Sequence, residues 1–460
     1  MTQTRQLFGT DGIRGVAGEF PLTRDTVYWM GQALGHDLMR VNAQARVAIG
    51  QDTRTSSRWI ADRFLQGLAS VGVETRSAGV ITTPGVAFLA RSQGFDAGVV
   101  ISASHNPWTD NGIKIFSGDG YKLPDAHELA IEKEIFALLR DSDAVPPDAD
   151  PEVFSLPGEE GLRQSYVHWL ASSVSTDLTR LRVAVDCANG AAAAEAPELF
   201  GALKVNTTFL HSAPDGQNIN ENCGALHPET LARFVGESAG RREGFDIGVT
   251  FDGDADRALF CDAQGRVVNG DAILLVAARE MQSRGALAKA TVVATTMSNM
   301  GLELALKHSG IQMLRANVGD KYVLEEMQRV GATLGGEQSG HILFRDGEAT
   351  TGDGLLTALR VMEIMVRTGK PLAELVSDLK VFPQTIRNVR VRNKTPFAEI
   401  PAVQAAIAAA ERELDGNGRV VVRYSGTEAL ARVMIEAESK EQIDRLAQAI
   451  VESIRSALGA

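Results

Sequence analysis

The stretch "ARVAIGQDTRTSSRWIADRFLQGLASVG", residues 45–72, contains one complete unit of strand, turn and helix. Its apolar beginning is typical of a buried strand, and the polar turn after it leads into apolar residues at helical spacing. A strand followed directly by a helix is the repeating element of parallel sheets covered on both faces. This stretch therefore predicts an α/β fold.

The same pattern recurs twice, in "LRVAVDCANGAAAAEAPELFGALK" (181–204) and in "ATVVATTMSNMGLELALKHSG" (290–310). Each copy again places a polar or glycine-bearing turn between an apolar strand and a helix. We therefore expect three similar α/β domains with mixed or parallel sheets.

The C-terminal part of the chain has a different pattern. Short apolar strands are predicted in 386–393 and 419–438, and helices in 398–414 and 440–458. This order favours a smaller α+β domain.

The chain is too long for a single domain, because one hydrophobic core stops growing near roughly 250–300 residues and the chain has 460. The acidic, proline-rich segment 141–160 is typical of a linker. Two further boundaries are expected near 252–271 and 368–382. We place the four domains at residues 1–150, 151–255, 256–375 and 376–460.

Composition excludes several classes of protein. A net charge of -12 argues against a general binder of nucleic acid or of anionic membranes. The three cysteines, Cys187, Cys223 and Cys261, are far apart, so their spacing predicts neither a disulfide framework nor a zinc site. No apolar segment has the length of a signal peptide or of a membrane span. We therefore expect a cytoplasmic protein.

The most specific local motif is "DIGVTFDGDADRALFCD" (246–262), in which three aspartates alternate with small residues after an apolar run. Asp252, Asp254 and Asp256 would leave the end of a strand together and could bind one hard cation such as Mg²⁺. An EF-hand is excluded, because its sixth and twelfth positions would be Arg257 and Ala263. A solvated acidic turn is the alternative, but three such close carboxylates would repel one another without a cation.

A second loop, "GVVISASHNPWTDNGIK" (98–114), also follows a predicted strand. Carboxyl ends of parallel strands are where α/β sheets place their sites, so this loop and the aspartate loop could share one. Ser102 or Ser104 could be a nucleophile, although serine is also common in ordinary turns. A phosphoryl-accepting serine suits the loop better than a hydrolase serine, because the glycines of a GxSxG elbow are absent. Lys114 could neutralise phosphate, move a proton, or lie inert on a surface strand.

Two later loops contain groups suited to a sugar phosphate. "LGGEQSGHILF" (334–344) sets Glu337, Ser339 and His341 at alternate positions. "VVVRYSGTEALAR" (420–432) combines an arginine, two hydroxyls and a glycine, which is typical of a phosphate-binding loop. A polar turn and a hairpin turn, respectively, are the alternatives.

Taken together, these loops resemble those of the α-D-phosphohexomutase superfamily over essentially the whole chain and in the expected order. The matching motifs are "SASHNP", "DGDADR", "GEQSGH" and "RYSGT". Within that superfamily the chain is most similar to the bacterial phosphoglucosamine mutases, through "FGTDGIRG" (8–15), "PDGQNINENCG" (214–224), "NVGDKYV" (317–323) and the glycine of "SGTE". The resemblance implies four domains around a central cleft.

The chain also departs from the family pattern. Ala255 replaces a frequent glycine, Trp108 a usual tyrosine, and Tyr424 a common lysine, and "EALAR" replaces "EPLIR". None of these changes removes the serine or an aspartate.

The resemblance implies specific residue roles. It assigns catalysis to Ser104, Lys114, His105 and Arg14. It assigns the metal to Ser104, Asp252, Asp254 and Asp256. It assigns substrate binding to Arg257, Glu337, Ser339, His341, Lys321, Arg423, Ser425, Gly426, Thr427 and Arg432. The choice of Ser104 over Ser102 rests on this resemblance.

The implied activity is the reversible interconversion of glucosamine 6-phosphate and glucosamine 1-phosphate through a phosphoserine enzyme and a 1,6-bisphosphate, which feeds amino-sugar nucleotide synthesis. The implied cofactor is Mg²⁺, with glucosamine 1,6-bisphosphate or glucose 1,6-bisphosphate as activator. The alternatives are a phosphomannomutase/phosphoglucomutase and a catalytically silent sugar-phosphate binding protein. We expect a hexosamine phosphate partner and no nucleic acid or membrane partner; the oligomeric state stays open, with a homodimer as the assembly to test.

Overall fold

The structure is a computed structural model and describes residues 6–9, 11–141, 146–147, 156–241, 243–425 and 429–459. These residues form two compact units, the first within 1–297 and 313–377 and the second within 298–312 and 378–460. Most of the predicted linker lies outside the described residues.

The first sheet has five strands: β1 (Ile13–Val16), β2 (Arg46–Gln51), β3 (Glu74–Val80), β4 (Ala97–Ile101) and β5 (Asp110–Ser117). Their spatial order is β1-β5-β4-β2-β3, with β4, β2 and β3 parallel and β5 antiparallel to both of its neighbours, β4 and β1. Its helices are α1 (Arg24–Val41), α2 (Thr55–Ser70), α3 (Thr83–Ser92) and α4 (Asp125–Arg140). Apolar side chains of α1, α2 and α4 cover one face and those of α3 the other. Both faces are therefore buried, as the continuous apolar strands predict.

The second sheet repeats this arrangement. Its elements are α5 (Glu160–Ser172), β6 (Arg182–Asp186), α6 (Ala192–Ala202), β7 (Asn206–Leu210), α7 (Pro228–Gly236), β8 (Ile247–Phe251), β9 (Ala258–Asp262) and β10 (Val267–Val268). The order is β10-β9-β8-β6-β7, and β8, β6 and β7 are parallel. The predicted boundary after residue 255 falls between β8 and β9, which are neighbours in this sheet.

The third sheet has four strands in the order β12-β11-β13-β14. The elements of this part of the chain are α8 (Gly270–Ser283), β11 (Thr291–Thr295), α9 (Met300–His308), β12 (Gln312–Ala316), α10 (Asp320–Val330), β13 (Leu334–Gly336), β14 (Ile342–Phe344), α11 (Gly354–Thr368) and α12 (Leu372–Leu375). Strands β11 and β13 are parallel, and β13 and β14 are antiparallel.

The second unit contains the smallest sheet. Its elements are β15 (Gln384–Arg390), α13 (Pro401–Leu414), β16 (Gly418–Tyr424), β17 (Leu430–Ala437) and α14 (Lys440–Leu458). The sheet is antiparallel with β17 in the centre, and α13 and α14 share its core. Helix α9 also belongs to this unit, where the amide of Asn299 exchanges two 2.9 Å hydrogen bonds with the backbone of Phe382.

The predicted fold class is confirmed: three sheets are mixed and accompanied by helices, and a smaller α+β part follows. The limits of the four domains stay a prediction. Because β4 and β8 each run parallel to a neighbour, the two loops with the serine and the aspartates both leave carboxyl ends of parallel strands.

Candidate active site

Three aspartates follow β8 directly and converge. The side chains of Asp252, Asp254 and Asp256 are buried, and one carboxylate oxygen from each lies within 4.8 Å of the others. Burial, together with the charges of Asp256 and Asp254, raises the pKa of Asp252 well above its usual range. Among the described residues, Oδ1 of Asp254 and Oδ1 of Asp256 have no hydrogen-bond partner. Buried, unpartnered carboxylate oxygens fit a hard divalent cation such as Mg²⁺.

The backbone of this loop is tightly constrained. A Cβ on Gly253 would lie 2.5 Å from the carbonyl oxygen of Ser104, so only glycine permits this approach. Ala255 has a φ of 54°, a left-handed conformation that glycine adopts more easily. Ala255 therefore carries backbone strain. A glycine, which the resembled family often has at this position, would avoid it.

Ser104 follows the end of β4, in a left-handed conformation with a φ of 54°. Its buried hydroxyl donates a 2.5 Å hydrogen bond to Oδ2 of Asp252. The hydroxyl of Ser102, by contrast, accepts a 2.9 Å hydrogen bond from the backbone N–H of Ser104. Of the two serines, Ser104 is thus the one that meets the aspartate loop.

The carbonyl of Ser104 is held by two side chains from other segments. The guanidinium of Arg54 donates to it at 3.1 Å, and the amide of Asn220 donates to it at 3.0 Å. Arg54 is itself buried and paired with Asp52. The backbone of the serine loop is therefore held by one side chain that follows β2 of the first sheet and by one that follows β7 of the second sheet.

Lys114 lies on β5 and is buried, so the alternative of an inert surface lysine is wrong. Its Nζ is 2.7 Å from Oδ2 of Asp254, 2.9 Å from Oδ2 of Asp11 and 3.4 Å from Oδ2 of Asp256. Burial alone would lower the pKa of Lys114, but the three carboxylates outweigh it and raise this pKa well above its usual range. The lysine is therefore a buried ammonium beside the aspartate cluster.

Further charged groups extend from Asp11. Lys122 Nζ lies 2.5 Å from Oδ1 of Asp11 and 2.5 Å from Oδ2 of Asp320. The imidazole of His341 lies between Asp320 and Asp256, with nitrogen–oxygen distances of 3.8 Å to each. Lysine and aspartate side chains thus alternate in a row, from Lys114 on β5 through Asp11 and Lys122 to Asp320 at the start of α10.

A cavity of about 430 Å³ opens beside these groups. The predicted site residues that line it are Arg14, His105, Asp256, Arg257, Glu337 and His341. Burial and the charges of Arg257 and Arg14 lower the pKa of His105 to about 4, so this imidazole is neutral near pH 7. Burial raises the pKa of Glu337. With its two arginines, the cavity can accept an anionic ligand carrying polar groups.

Two predicted residues lie apart from this cavity. Lys321 lines a neighbouring cavity of about 260 Å³ and pairs with Asp125. Ser339 lies within the predicted loop, between β13 and β14, and its buried Oγ has no hydrogen-bond partner among the residues that the structure describes.

The predicted phosphate loop belongs to the second unit. Arg423 on β16 is exposed and stands directly opposite Arg432 on β17. The backbone N–H of Ser425 donates to the carbonyl of Leu430 at 2.8 Å, and Lys394 donates to the carbonyl of Ser425 at 2.7 Å. Gly426 and Thr427 lie outside the described residues.

Comparison with known proteins identifies the family of this chain. Models of phosphoglucomutase/phosphomannomutase domains match four successive segments: α/β/α domain I at residues 5–140, α/β/α domain II at 164–265, α/β/α domain III at 269–382 and the C-terminal domain at 387–453. The chain belongs to the phosphoglucomutase/phosphomannomutase family.

A relative from Koribacter versatilis, named phosphoglucosamine mutase, is 61% identical over 99% of this chain and 98% of its own length. The predicted superfamily, its phosphoglucosamine mutase branch and the enzyme class of phosphohexomutases are therefore confirmed. A solved phosphoglucomutase/phosphomannomutase family protein from Burkholderia thailandensis is 25% identical, covers 98% of this chain and 97% of its own, and has a TM-score of 0.78.

A third comparison concerns the fold alone. The N-acetylphosphoglucosamine mutase of Aspergillus fumigatus, solved in complex with GlcNAc-6P and magnesium, is 19% identical with a TM-score of 0.63 and covers 99% of this chain and 96% of its own. No helix within the described part of the chain has the length and apolar character needed to cross a bilayer.

Sequence reasoning missed several charged and polar residues that the structure places beside the predicted ones, namely Asp11, Arg54, Lys122, Asn220 and Asp320. Three of them stand in motifs quoted for the resemblance, "FGTDGIRG", "PDGQNINENCG" and "NVGDKYV". Asp320 directly precedes Lys321, the residue to which the resemblance assigns substrate binding. Arg54 and Lys122 carry no local signal for this site, because the groups they contact there, the carbonyl of Ser104 and the carboxylate of Asp11, are distant in sequence.

Proposed function

We propose that this protein interconverts glucosamine 6-phosphate and glucosamine 1-phosphate, with Ser104 carrying the transferred phosphoryl group. The observation that carries the proposal is the 2.5 Å hydrogen bond from the Ser104 hydroxyl to Asp252, beside the aspartate cluster. A phosphoryl group on this oxygen would lie next to carboxylates suited to a cation. The name of the 61% identical relative supports glucosamine as the sugar.

Asp252, Asp254 and Asp256 would hold Mg²⁺ together with an oxygen of phosphorylated Ser104. The buried Oδ1 atoms of Asp254 and Asp256 have no hydrogen-bond partner among the described residues, which supports this assignment, as does the magnesium in the Aspergillus fumigatus complex. When bound, Mg²⁺ offsets the negative charge that develops on the phosphoryl oxygens during transfer.

In the first half-reaction a sugar hydroxyl attacks the phosphorus of phosphorylated Ser104. A new P–O bond to the sugar forms as the P–Oγ bond breaks, giving a 1,6-bisphosphate and free serine. Lys114, an ammonium at neutral pH, donates its proton to the leaving Oγ and takes the proton of the attacking hydroxyl. The bisphosphate then turns round and returns its other phosphoryl group to Ser104 by the reverse steps.

Other residues would position the substrate so that transfer is effectively intramolecular. Arg14 and Arg257 line the cavity and would neutralise the reacting phosphate, with His105 as a neutral neighbour. Glu337, Ser339, His341 and Lys321 would bind the sugar. The phosphate that is not reacting would be bound by Arg423, Ser425, Gly426, Thr427 and Arg432 of the C-terminal domain.

The active enzyme would require a phosphoryl group on Ser104 before the first turnover. Glucosamine 1,6-bisphosphate or glucose 1,6-bisphosphate would supply it as activator, by the same chemistry run from the bisphosphate. The hexosamine phosphate substrate is the only ligand that this cycle consumes.

The decisive experiment locates the phosphate. Purified protein is treated with glucosamine 1,6-bisphosphate, and intact-mass and peptide analysis should place one phosphate on Ser104. The Ser104→Ala variant should take up no phosphate and show no turnover with unchanged circular dichroism, whereas Ser172→Ala, at an exposed position of α5, should behave as wild type. A phosphate on Ser102, or full activity of Ser104→Ala, would contradict the proposal.

The sugar preference needs a separate measurement. The kcat/KM values for glucosamine, glucose and mannose 1-phosphates should be compared on the same phosphorylated protein. We expect glucosamine 1-phosphate to be preferred. Similar values for all three would favour the phosphomannomutase/phosphoglucomutase alternative.

A further inference from the structure

A second cluster of potential metal ligands lies at the carboxyl edge of the second sheet. Asp186 is the last residue of β6, His211 follows β7 directly, and Cys223 precedes the short 3-10 helix Gly224–Leu226. One ligand atom from each lies within 4.8 Å of the others. Because β6 also neighbours β8, this cluster and the aspartate loop occupy the same edge of one sheet.

The carboxylate of this cluster is held in a defined orientation. Asp186 is buried, and its Oδ1 accepts a 2.9 Å hydrogen bond from the N–H of Ala188. Its Oδ2 accepts a 3.0 Å hydrogen bond from the N–H of Gly224, the residue after Cys223. Each oxygen keeps a lone pair for a further interaction, and such outer hydrogen bonds are typical of carboxylates that bind metals.

The imidazole and the thiol face this carboxylate. Nδ1 of His211 is 3.1 Å from Oδ1 of Asp186, yet no described group completes a hydrogen bond of normal geometry with it. The thiol of Cys223 is buried. The His211 side chain is 31% exposed, which leaves an entry path from solvent.

We propose that Asp186, His211 and Cys223 form a zinc site distinct from the aspartate cluster. A thiolate, an imidazole and a carboxylate are the ligand types that Zn²⁺ prefers, with water in the fourth position, whereas Mg²⁺ prefers oxygens alone. Ligand atoms on one tetrahedral zinc lie about 3.3–3.8 Å apart, a spacing that small side-chain rotations would reach from the observed one. Binding releases the thiol proton as the Zn–S bond forms.

This site would stiffen the segment that supports the serine loop. The N–H of Asn220 donates to the carbonyl of Ala188 at 2.9 Å, next to Asp186. The side-chain amide of Asn220 donates to the carbonyl of Ser104 at 3.0 Å. Asn220 lies three residues before Cys223, and Ala188 lies two residues after Asp186. Zinc bound to both Cys223 and Asp186 would therefore restrict the movement of Asn220, which holds the carbonyl of Ser104. The cysteine spacing does not predict such a site, because its three ligands come from distant segments.

The test uses Co²⁺ as a spectroscopic probe for the zinc site. Full-length protein stripped by a chelator is given saturating Mg²⁺, which occupies the aspartate cluster, and is then titrated with Co²⁺. We expect one equivalent of Co²⁺ to produce a near-ultraviolet thiolate-to-cobalt charge-transfer band, and Zn²⁺ to abolish it, since zinc binds such ligands more tightly. The absence of the band in the wild type would overturn the proposal.

Variants identify the ligands. Cys223→Ser should lose the band, whereas Cys261→Ser and Cys187→Ser should keep it; a band that survives in Cys223→Ser would overturn the assignment. If Cys223→Ser does not fold, His211→Gln decides instead, and it should weaken Co²⁺ binding by at least about tenfold. Asp254→Asn should keep the band. The measurement reads metal binding directly, so its result is independent of the proposed mutase activity.

Discussion

Nζ of Lys114 lies 2.9 Å from Oδ2 of Asp11, and the other oxygen of this carboxylate lies 2.5 Å from Nζ of Lys122. Asp11 thus links two ammonium groups, the buried one of Lys114 beside the aspartate cluster and the partly buried one of Lys122 beside Asp320. Burial would raise the pKa of Asp11, but the lysines Lys114 and Lys122 outweigh it and hold this pKa well below its usual range. Asp11 is therefore a charged residue that sets the electrostatics of Lys114.

The first prediction concerns Asp11→Asn, which keeps the shape but removes the charge. The carboxylate raises the pKa of Lys114, so its loss should lower that pKa. If Lys114 must be protonated for transfer, the alkaline limb of the kcat profile should move to lower pH. Full pH profiles of both proteins check this.

The matched control is Asp177→Asn, at an exposed position. Its profile should match the wild type. An alkaline limb that stays in place in Asp11→Asn would show that Asp11 does not act through Lys114.

The second prediction concerns Asp254→Asn. Oδ2 of Asp254 already contacts Lys114 and Thr83, while Oδ1 has no partner among the described residues. An amide is a weaker ligand for Mg²⁺ than a carboxylate. The Mg²⁺ concentration for half-maximal activity should rise at least about tenfold, a typical cost of weakening a metal site.

Asp415→Asn serves as the control, since Asp415 caps α13 in a left-handed conformation that asparagine also tolerates. An unchanged Mg²⁺ titration in Asp254→Asn would exclude the aspartate cluster as the metal site.

The third prediction concerns the fully buried Glu195 on α6. Its Oε2 accepts a 3.4 Å hydrogen bond from the N–H of Thr82, and Oε1 has no partner among the described residues. Burial raises its pKa to about 8, well above the value of an unfolded chain. The folded state therefore binds the proton of Glu195 more tightly than the unfolded chain does. Below the pKa of the unfolded chain, protonated Glu195 contributes fully to the free energy of unfolding. That contribution is lost as the pH rises through the folded-state pKa of about 8.

Glu195→Gln imitates the protonated form and should remove this loss. We expect the variant to unfold at a higher temperature than the wild type at pH 9 and at a similar temperature at pH 5. Glu198→Gln, on the same helix but paired with Arg163, should show no such gain. A Glu195→Gln variant less stable than the wild type at pH 9 would contradict the assigned burial penalty.

The fourth prediction concerns the left-handed Ala255. Replacement by glycine relieves about 1–2 kcal/mol of backbone strain, offset by about 0.8 kcal/mol for the lost buried methyl group and about 0.4–1 kcal/mol for the more flexible unfolded chain. Ala255→Gly should therefore change the free energy of unfolding by less than about 1 kcal/mol. Denaturant unfolding measures this.

Ala278→Gly is the comparison, because this buried alanine lies within α8. There the same change should cost about 2 kcal/mol, from helix propensity and lost burial together. Equal losses in the two variants would show that Ala255 is not strained.

The aspartate loop and the serine loop could be predicted because their signals are local. Asp252, Asp254 and Asp256 are separated by single small residues, so any strand that ends before them brings their carboxylates together. His341 was selected for its place in the sugar loop, yet its contacts with Asp320 and Asp256 were not predictable. Those contacts join residues from different sheets.

The choice between Ser102 and Ser104 shows the limit of local reasoning. Both serines follow the same strand, and resemblance alone favoured Ser104. In the structure the left-handed backbone of Ser104 turns its hydroxyl to Asp252, while the hydroxyl of Ser102 binds the Ser104 N–H. A backbone angle of one residue therefore decides which oxygen meets the carboxylates.

Local sequence patterns were enough to predict the class of the sheets, the order of the four motifs and the family, because strand and helix periodicity and short motifs are properties of neighbouring residues. The contacts between distant segments became visible in the folded protein: Asp11 joins Lys114 to Lys122, Lys122 contacts Asp320, and Asp186, His211 and Cys223 meet. The reason is physical: ion pairs, hydrogen bonds and metal ligation act over a few ångströms, and those distances are set by how separate sheets and loops pack.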